Sequence, residues 1–224
     1  RLKSDIKPFS VERKKVYYND ETIVDEFASS TAIRKLVATE QYDDLRKVMP
    51  RNSYMLLKEE IRKGNYVIDL VKYEKEIIYN LRKMSIKEIA DLPDVSEGLE
   101  SCNNLISLVN IIKSKRYTQT RIQRILIYAL LGITKKDMQN SKKVVPYARV
   151  LGFNNRGKEM LSDICNINPK IQMITSVKKY QDQCTNKVLK EMLEKDIFAT
   201  NVYTLGYEDE SWANLDYTSK LVII

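Results

Sequence analysis

The chain has 224 residues, of which 43% are hydrophobic and 30% are charged, and it carries a formal net charge of +8. That length and hydrophobic content suffice for one large or two small domains with a buried core. The apolar runs are too short to cross a membrane as a helix, and three widely spaced cysteines predict reduced thiols of a cytoplasmic protein. The sequence contains no histidine, which excludes histidine-based catalysis and histidine-ligated metals within these residues.

Residues 1–38 are interpreted as the end of a domain. A period-two pattern around residues 16–18, followed by Asn19 and Asp20, predicts a strand end and a turn. The chain opens on Arg1 with no helix start, so we expect a fragment of a longer chain.

A helix start follows at Ser29, Ser30 and Thr31. Free backbone N–H groups, hydroxyls and Arg34 at a helix N-terminus would form an anion site suited to phosphate. The alternative, a simple hydroxyl cap with a solvent-exposed arginine, stays open on spacing alone.

A run of amphipathic segments then predicts a compact helical domain over residues 39–145. The predicted helices cover residues 40–49, 52–63, 66–84, 85–92 and 96–112. Pro50, Gly64 and Pro93 mark the breaks between them.

The next segment, residues 113–133, becomes an amphipathic helix after a cap at Thr118 or Thr120. Its apolar positions recur at helical spacing, and they are Ile122, Ile125, Leu126, Ala129, Leu130 and Ile133. Arg121, Arg124 and Tyr128 fall on the opposite face. The open alternative is a core helix whose basic face meets only solvent.

The net charge is concentrated in residues 113–143. This stretch holds nine basic residues and one acid, so it carries the whole +8, and the rest of the chain has equal numbers of both signs. Such a localised field favours a polyanion, most simply a nucleic-acid backbone. An anionic membrane stays open as the alternative, although the apolar stripe lacks Trp or Phe anchors.

The remainder, residues 146–224, is predicted to be a small α/β subdomain. Strands are expected at residues 147–153 and 171–177, as a parallel pair, with helices at 158–166 and 182–198. The end of the chain at residues 222–224 is either an added strand or a cut end. No P-loop, Gly-rich dinucleotide loop, CxxC or HxxH motif is present, so no catalytic or metal site is predicted.

Two long segments carry a family resemblance. The first is EGLES followed by KSKRYTQTRIQRILIYALLGI, and the second is PYARVLGFNNRGKEML. Together they resemble the C-terminal half of bacterial tRNA(Met) cytidine acetate ligases, over roughly residues 6–180. That family joins a HIGH-type nucleotidyltransferase domain to a helical tRNA-binding region.

The resemblance implies that the chain is mainly α, with a helical domain between the remnant of an α/β nucleotidyltransferase domain and a small α/β subdomain. It also implies ATP-dependent activation of acetate to acetyl-adenylate and acetylation of N4 of the wobble cytidine of elongator tRNA(Met). Magnesium is expected with the ATP. The implied partners are tRNA, ATP and acetate, with no membrane involved.

The resemblance assigns residues to two sites. The segment IKPFSVERKK resembles the strand whose arginine contacts ATP, and ASSTAIR resembles the motif that closes over phosphates. The implied ATP-binding residues are Arg13, Lys14, Ser30, Thr31 and Arg34. The predicted RNA-binding residues are Lys113, Lys115, Arg116, Arg121, Arg124, Lys135 and Lys136.

One departure from the family is large, because the HIGH histidines and the rest of the nucleotidyltransferase core are missing from the sequence. We therefore expect a chain that lacks the HIGH-motif half and is inactive alone. The alternatives are a free-standing, non-catalytic helical RNA- or DNA-binding module and a purely structural helical scaffold.

Overall fold

The computed structural model describes residues 8–12, 17, 20–66, 69–83, 102–113, 118–208 and 212–224. Within these ranges the chain is mainly helical, with eleven α-helices and four two-residue strands. It divides into two compact units, residues 1–68 and 69–224. The division into three domains after residues 38 and 145 stays a prediction.

The first unit contains three short helices. They are α1 (Ser30–Ala38), α2 (Tyr42–Lys47) and α3 (Arg51–Arg62). Leu36, Leu45 and Tyr54, one from each helix, form its buried cluster. The helix predicted over residues 40–49 begins later, at Tyr42, because Thr39 ends α1 and Glu40 turns the chain with a φ of 55°.

Four helices and a 3-10 turn open the second unit. They are the 3-10 turn Leu70–Tyr73, α4 (Glu74–Lys83), α5 (Leu105–Ile112), α6 (Gln119–Leu131) and α7 (Lys135–Ser141). Helix α6 packs against α4 and α5. The core between them includes Ile77, Leu81, Leu108, Ile112, Ile122 and Leu126, each at most 2% exposed.

One of the predicted helices in this region starts later than expected. The helix predicted over 66–84 begins with the 3-10 turn, where the Asp69 carboxylate accepts from the Val71 N–H at 2.8 Å. For the helix predicted over 96–112, residues 96–101 lie outside the described residues, and the described part is helical from Leu105, where the Asn104 side chain accepts from the Ser107 N–H at 2.8 Å. The helix predicted over 85–92 lies outside the described residues.

The rest of the second unit combines short strands and helices. Its elements are β1 (Ala148–Arg149), β2 (Gly152–Phe153), α8 (Asn155–Ile167), β3 (Met173–Ile174), α9 (Val177–Gln183), α10 (Lys187–Thr204), α11 (Leu215–Thr218) and β4 (Val222–Ile223). Strand β1 pairs parallel with β3, and β2 pairs parallel with β4. The predicted parallel pair is confirmed, but the strand predicted over 147–153 is two strands in different sheets.

The helix predicted over residues 182–198 is wrong at both ends. Helix α9 ends at Gln183, and α10 starts afresh because the Asn186 side chain accepts from the N–H groups of Val188 and Leu189, at 3.0 and 3.2 Å. It then continues to Thr204.

Candidate nucleic-acid interface

An open cleft of about 450 Å³ lies between α6 and α7. We call it the basic cleft, and its lining residues are Arg121, Arg124, Ile125, Tyr128, Lys135, Met138, Gln139 and Lys142. None of these described lining residues is acidic. Four cations around one concave surface attract an anion more strongly than the same cations spread over a flat surface.

The sequence of α6 orients its half of the basic cleft. Arg121, Arg124 and Tyr128 are spaced three and four residues apart, so they share one face of the helix. The opposite face is fixed in the core, where Ile122 and Leu126 are 0% and 1% exposed. Because burial fixes the rotation of α6, both guanidinium groups face the cleft.

A short turn places α7 beside α6. Gly132 ends α6 with a φ of 60°, which favours glycine. Thr134 and Asp137 then form a capping box: Asp137 accepts from the Thr134 N–H at 2.8 Å, and Thr134 accepts from the Asp137 N–H at 3.2 Å. Helix α7 therefore starts at Lys135, directly beside the cleft.

A lysine from α10 stabilises the end of α6. The Lys195 ammonium donates to the carbonyl of Gly132 at 2.8 Å and to that of Leu131 at 3.4 Å. A cation at this position also interacts favourably with the helix dipole.

The structure brings together three of the predicted RNA-binding residues. Arg121, Arg124 and Lys135 line the basic cleft, whereas Lys113 and Lys136 are exposed and do not line it. Lys115 and Arg116 lie outside the described residues. The predicted RNA-binding residues omit Gln139 and Lys142, although Lys142 belongs to the basic stretch and their spacing of four and seven residues from Lys135 places both on one side of α7 and its C-cap.

A second cavity, of about 240 Å³, lies on the other side of α7, against α10. We call it the α7–α10 cavity, and its charged lining residues are Asp137, Glu191, Lys195 and Asp196. Asp196 accepts a short hydrogen bond from the Tyr147 hydroxyl. Burial, and then this hydrogen bond, raise the pKa of Tyr147 above its ordinary value of 10.0.

The predicted phosphate site lies at the start of α1, in the first unit. Ser29 is 0% exposed and acts as the cap, since its hydroxyl oxygen accepts from the Ala32 N–H at 3.0 Å. Ser30 and Arg34 are exposed, and no acid occupies the first turn. The backbone N–H groups of this first turn can bind a phosphate, because no carboxylate of the same turn repels it. Arg13 and Lys14 lie outside the described residues.

No described helix is long and apolar enough to span a membrane. In the same residues no group of three or more histidine, cysteine or acidic side chains could hold a metal ion.

Comparison with known sequences places the chain among nucleotidyltransferases. The family model described as HIGH Nucleotidyl Transferase matches residues 1–216. The tRNA(Met) cytidine acetate ligase of Thermoanaerobacter pseudethanolicus is 37% identical over 230 residues, which cover 99% of this chain and 56% of the ligase. The corresponding ligase of Acetivibrio thermocellus is 33% identical over 240 residues, covering 100% of this chain and 57% of the ligase.

Solved structures show the same fold. Apo Thermotoga maritima TmcAL superposes with a TM-score of 0.83 at 20% identity, covering 96% of this chain and 55% of TmcAL. TmcAL bound with alpha-thio ATP superposes with a TM-score of 0.76 at 21% identity, covering 89% of this chain and 53% of TmcAL.

The chain spans 56% of the length of the Thermoanaerobacter pseudethanolicus ligase. The family model nevertheless matches nearly all of the 224 residues. The matches therefore give no support to the expectation that the chain lacks the HIGH-motif half.

Proposed function

Because the chain belongs to the HIGH nucleotidyl transferase family, we propose that it is the tRNA-binding portion of an ATP-dependent ligase. The reaction proposed for the whole protein activates acetate as acetyl-adenylate and acetylates N4 of the wobble cytidine of elongator tRNA(Met). Its relatives, tRNA(Met) cytidine acetate ligases at 37% and 33% identity, support this choice. The proposed location is the cytoplasm.

The basic cleft is the observation that supports RNA binding. It draws two arginines from α6 and two lysines from α7, and none of its described lining residues is acidic. Phosphate contacts of this kind supply most of the sequence-independent affinity for nucleic acid. They also position a nucleic acid so that a reacting base is held in place.

The start of α1 is the proposed ATP-binding region. Ser30, Thr31 and Arg34 would hold phosphate oxygens there, together with Arg13 and Lys14, and magnesium is expected with the nucleotide. ATP would supply the activation of acetate, while these residues orient its phosphates. Titration of ATP into the chain and into Arg34→Ala tests the assignment, and equal affinities would remove Arg34 from the site.

The test of RNA binding is a double charge reversal in the basic cleft. Arg121→Glu with Arg124→Glu should weaken binding of elongator tRNA(Met) by at least about tenfold at ~0.1 M salt. The slope of log affinity against log salt should become shallower by about 1.4, since each phosphate contact contributes about 0.7 for a single strand.

Lys178→Glu with Lys179→Glu is the matched control. Both lysines are exposed in the first turn of α9, outside the basic cleft, and the change in net charge is the same. An equal loss of affinity in this control, or none in the arginine variant, would reject the basic cleft as the RNA-binding surface.

We expect the 224 residues to bind tRNA without forming acetyl-adenylate, because they contain no histidine to supply a HIGH motif. ATP-dependent turnover by this chain would refute that expectation.

A further inference from the structure

The basic cleft contains an aromatic ring among its cations. Tyr128 lies on α6 one turn beyond Arg124 and two turns beyond Arg121, and its side chain lines the cleft. The ring is half-buried, because Ile125 and Ala129 next to it on the helix are held in the core. An aromatic ring held on a rigid helix offers a flat surface at little entropic cost.

The volume and the apolar lining residues of the basic cleft suit a planar apolar group. Its volume of about 450 Å³ falls within the range of pockets that hold small ligands. Ile125 and Met138 add apolar surface beside the ring. Methionine sulfur also makes favourable contacts with aromatic rings. A purely phosphate-binding surface would need only the cations.

Resting on the proposed function, we propose that the basic cleft binds one unpaired nucleobase stacked on the ring of Tyr128. The flanking phosphates lie against the four cations of the cleft. Its substrate is therefore a single-stranded stretch of RNA rather than a duplex.

The chemistry of RNA favours this choice. In an A-form duplex the bases are stacked and the major groove is too deep and narrow for side chains to read. A ring inside a cleft meets a base only when that base has left the stack. Cationic grooves with aromatic side chains are the usual way in which proteins hold single strands.

Gln139 gives the basic cleft one neutral polar group. It lies one turn after Lys135 on the same face of α7. Its amide both donates and accepts hydrogen bonds, so it matches the edge of a base better than a phosphate.

The experiment compares a single-stranded oligoribonucleotide carrying a fluorescent adenine analogue with a duplex of the same length. Single-strand binding to the 224-residue chain should quench the fluorophore and be at least about tenfold tighter than duplex binding. Tyr128→Ala should weaken single-strand binding by between about fivefold and a hundredfold, the range measured for removal of a stacking ring. Tyr128→Phe should keep the quenching and nearly all of the affinity.

Tyr79→Ala is the matched control, because Tyr79 is 63% exposed on α4 and lies outside the basic cleft. Equal affinity for the duplex, or an unchanged affinity in Tyr128→Ala, would overturn the stacking proposal. If the arginine charge reversal still weakens RNA binding in that case, the proposed function survives. Equally tight binding of poly-glutamate would instead identify an acidic peptide as the occupant and overturn the proposal.

Discussion

The two cavities on either side of α7 use similar residues in opposite ways. The basic cleft gathers four cations from α6 and α7, and none of its described lining residues is acidic. The α7–α10 cavity holds three carboxylates and one ammonium beside apolar side chains. Met138 lines both, so a single helix separates a surface of one sign from a surface of mixed sign.

The difference lies in what the charges are bonded to. In the α7–α10 cavity, Asp137 caps α7, Lys195 bonds the end of α6, and Asp196 accepts from Tyr147. In the described part of the chain, the ion pairs of the structure include neither Lys135 nor Lys142. The charges of the α7–α10 cavity are therefore engaged in stabilising the fold, whereas Lys135 and Lys142 of the basic cleft take part in none of these described ion pairs.

The largest effect is expected on folding stability, from a substitution in the buried face of α6, the helix that carries the two arginines of the basic cleft. Leu126 is 1% exposed, so Leu126→Ala should lower the free energy of unfolding by about 3 kcal/mol, through lost burial and a cavity. Urea denaturation measures this loss. Leu151→Ala is the control, since Leu151 is 73% exposed. A loss below about 1 kcal/mol in Leu126→Ala would show that α6 does not depend on its buried stripe.

The next largest effect is expected on tRNA affinity, which should depend on the charges of the basic cleft and not on those of the α7–α10 cavity. Lys135→Gln with Lys142→Gln should weaken tRNA binding about tenfold at ~0.1 M salt, because two phosphate contacts are lost. Glu191→Lys raises the charge of the α7–α10 cavity by two units and should change the affinity less than about twofold. Filter binding at several salt concentrations measures both. If Glu191→Lys strengthened tRNA binding as much as the double lysine variant weakened it, the total charge of the chain, rather than the basic cleft, would determine the affinity.

A smaller effect should show that the lysine of the α7–α10 cavity is structural. Lys195→Met removes the hydrogen bonds to Leu131 and Gly132 and should cost about 1 kcal/mol of folding stability. The affinity for tRNA should stay within about twofold, since Lys195 does not line the basic cleft. Thermal unfolding with parallel binding assays tests this pair of outcomes. If Lys195→Met left the folding stability unchanged and weakened tRNA binding, Lys195 would be an RNA-binding residue rather than a structural one.

The smallest effect should appear only in alkali. The pKa of Tyr147 is raised above 10.0 in the folded chain, so above about pH 10 the unfolded chain loses this proton first. The stability due to the neutral hydroxyl is complete below that pH and declines as the pH rises further. In Tyr147→Phe the free energy of unfolding should therefore fall less steeply between about pH 9 and pH 11. An identical slope would show that the hydroxyl is not protected by burial.

The sequence predicted the part of the basic cleft that belongs to α6. A period of 3.6 residues places Ile122 and Leu126 inside and Arg121 and Arg124 outside without knowledge of any neighbour. The contribution of α7 was harder to predict, because it depends on the left-handed turn at Gly132 and the exact start of the next helix.

The errors in element boundaries have a common physical cause. Helices were predicted to start near residues 158 and 182, whereas the structure caps them with Asn154 and Asn186. Asparagine caps as well as serine does, but it also occurs in turns, so its position alone does not identify a helix start. Two-residue strands show no alternation, and their pairing depends on distant residues such as Val222.

The length of the basic cleft limits what it can recognise. Arg121 and Tyr128 on α6 are seven positions apart, as are Lys135 on α7 and its C-cap Lys142, and each pair spans about 10 Å of helix. Even at the stacked spacing of about 3.4 Å per nucleotide, this footprint covers at most about three nucleotides, and it covers fewer where the strand is unstacked. A footprint this short predicts fast dissociation of the RNA. It also contacts too few bases to distinguish one transfer RNA from another. We therefore expect discrimination among transfer RNAs to come from contacts made elsewhere.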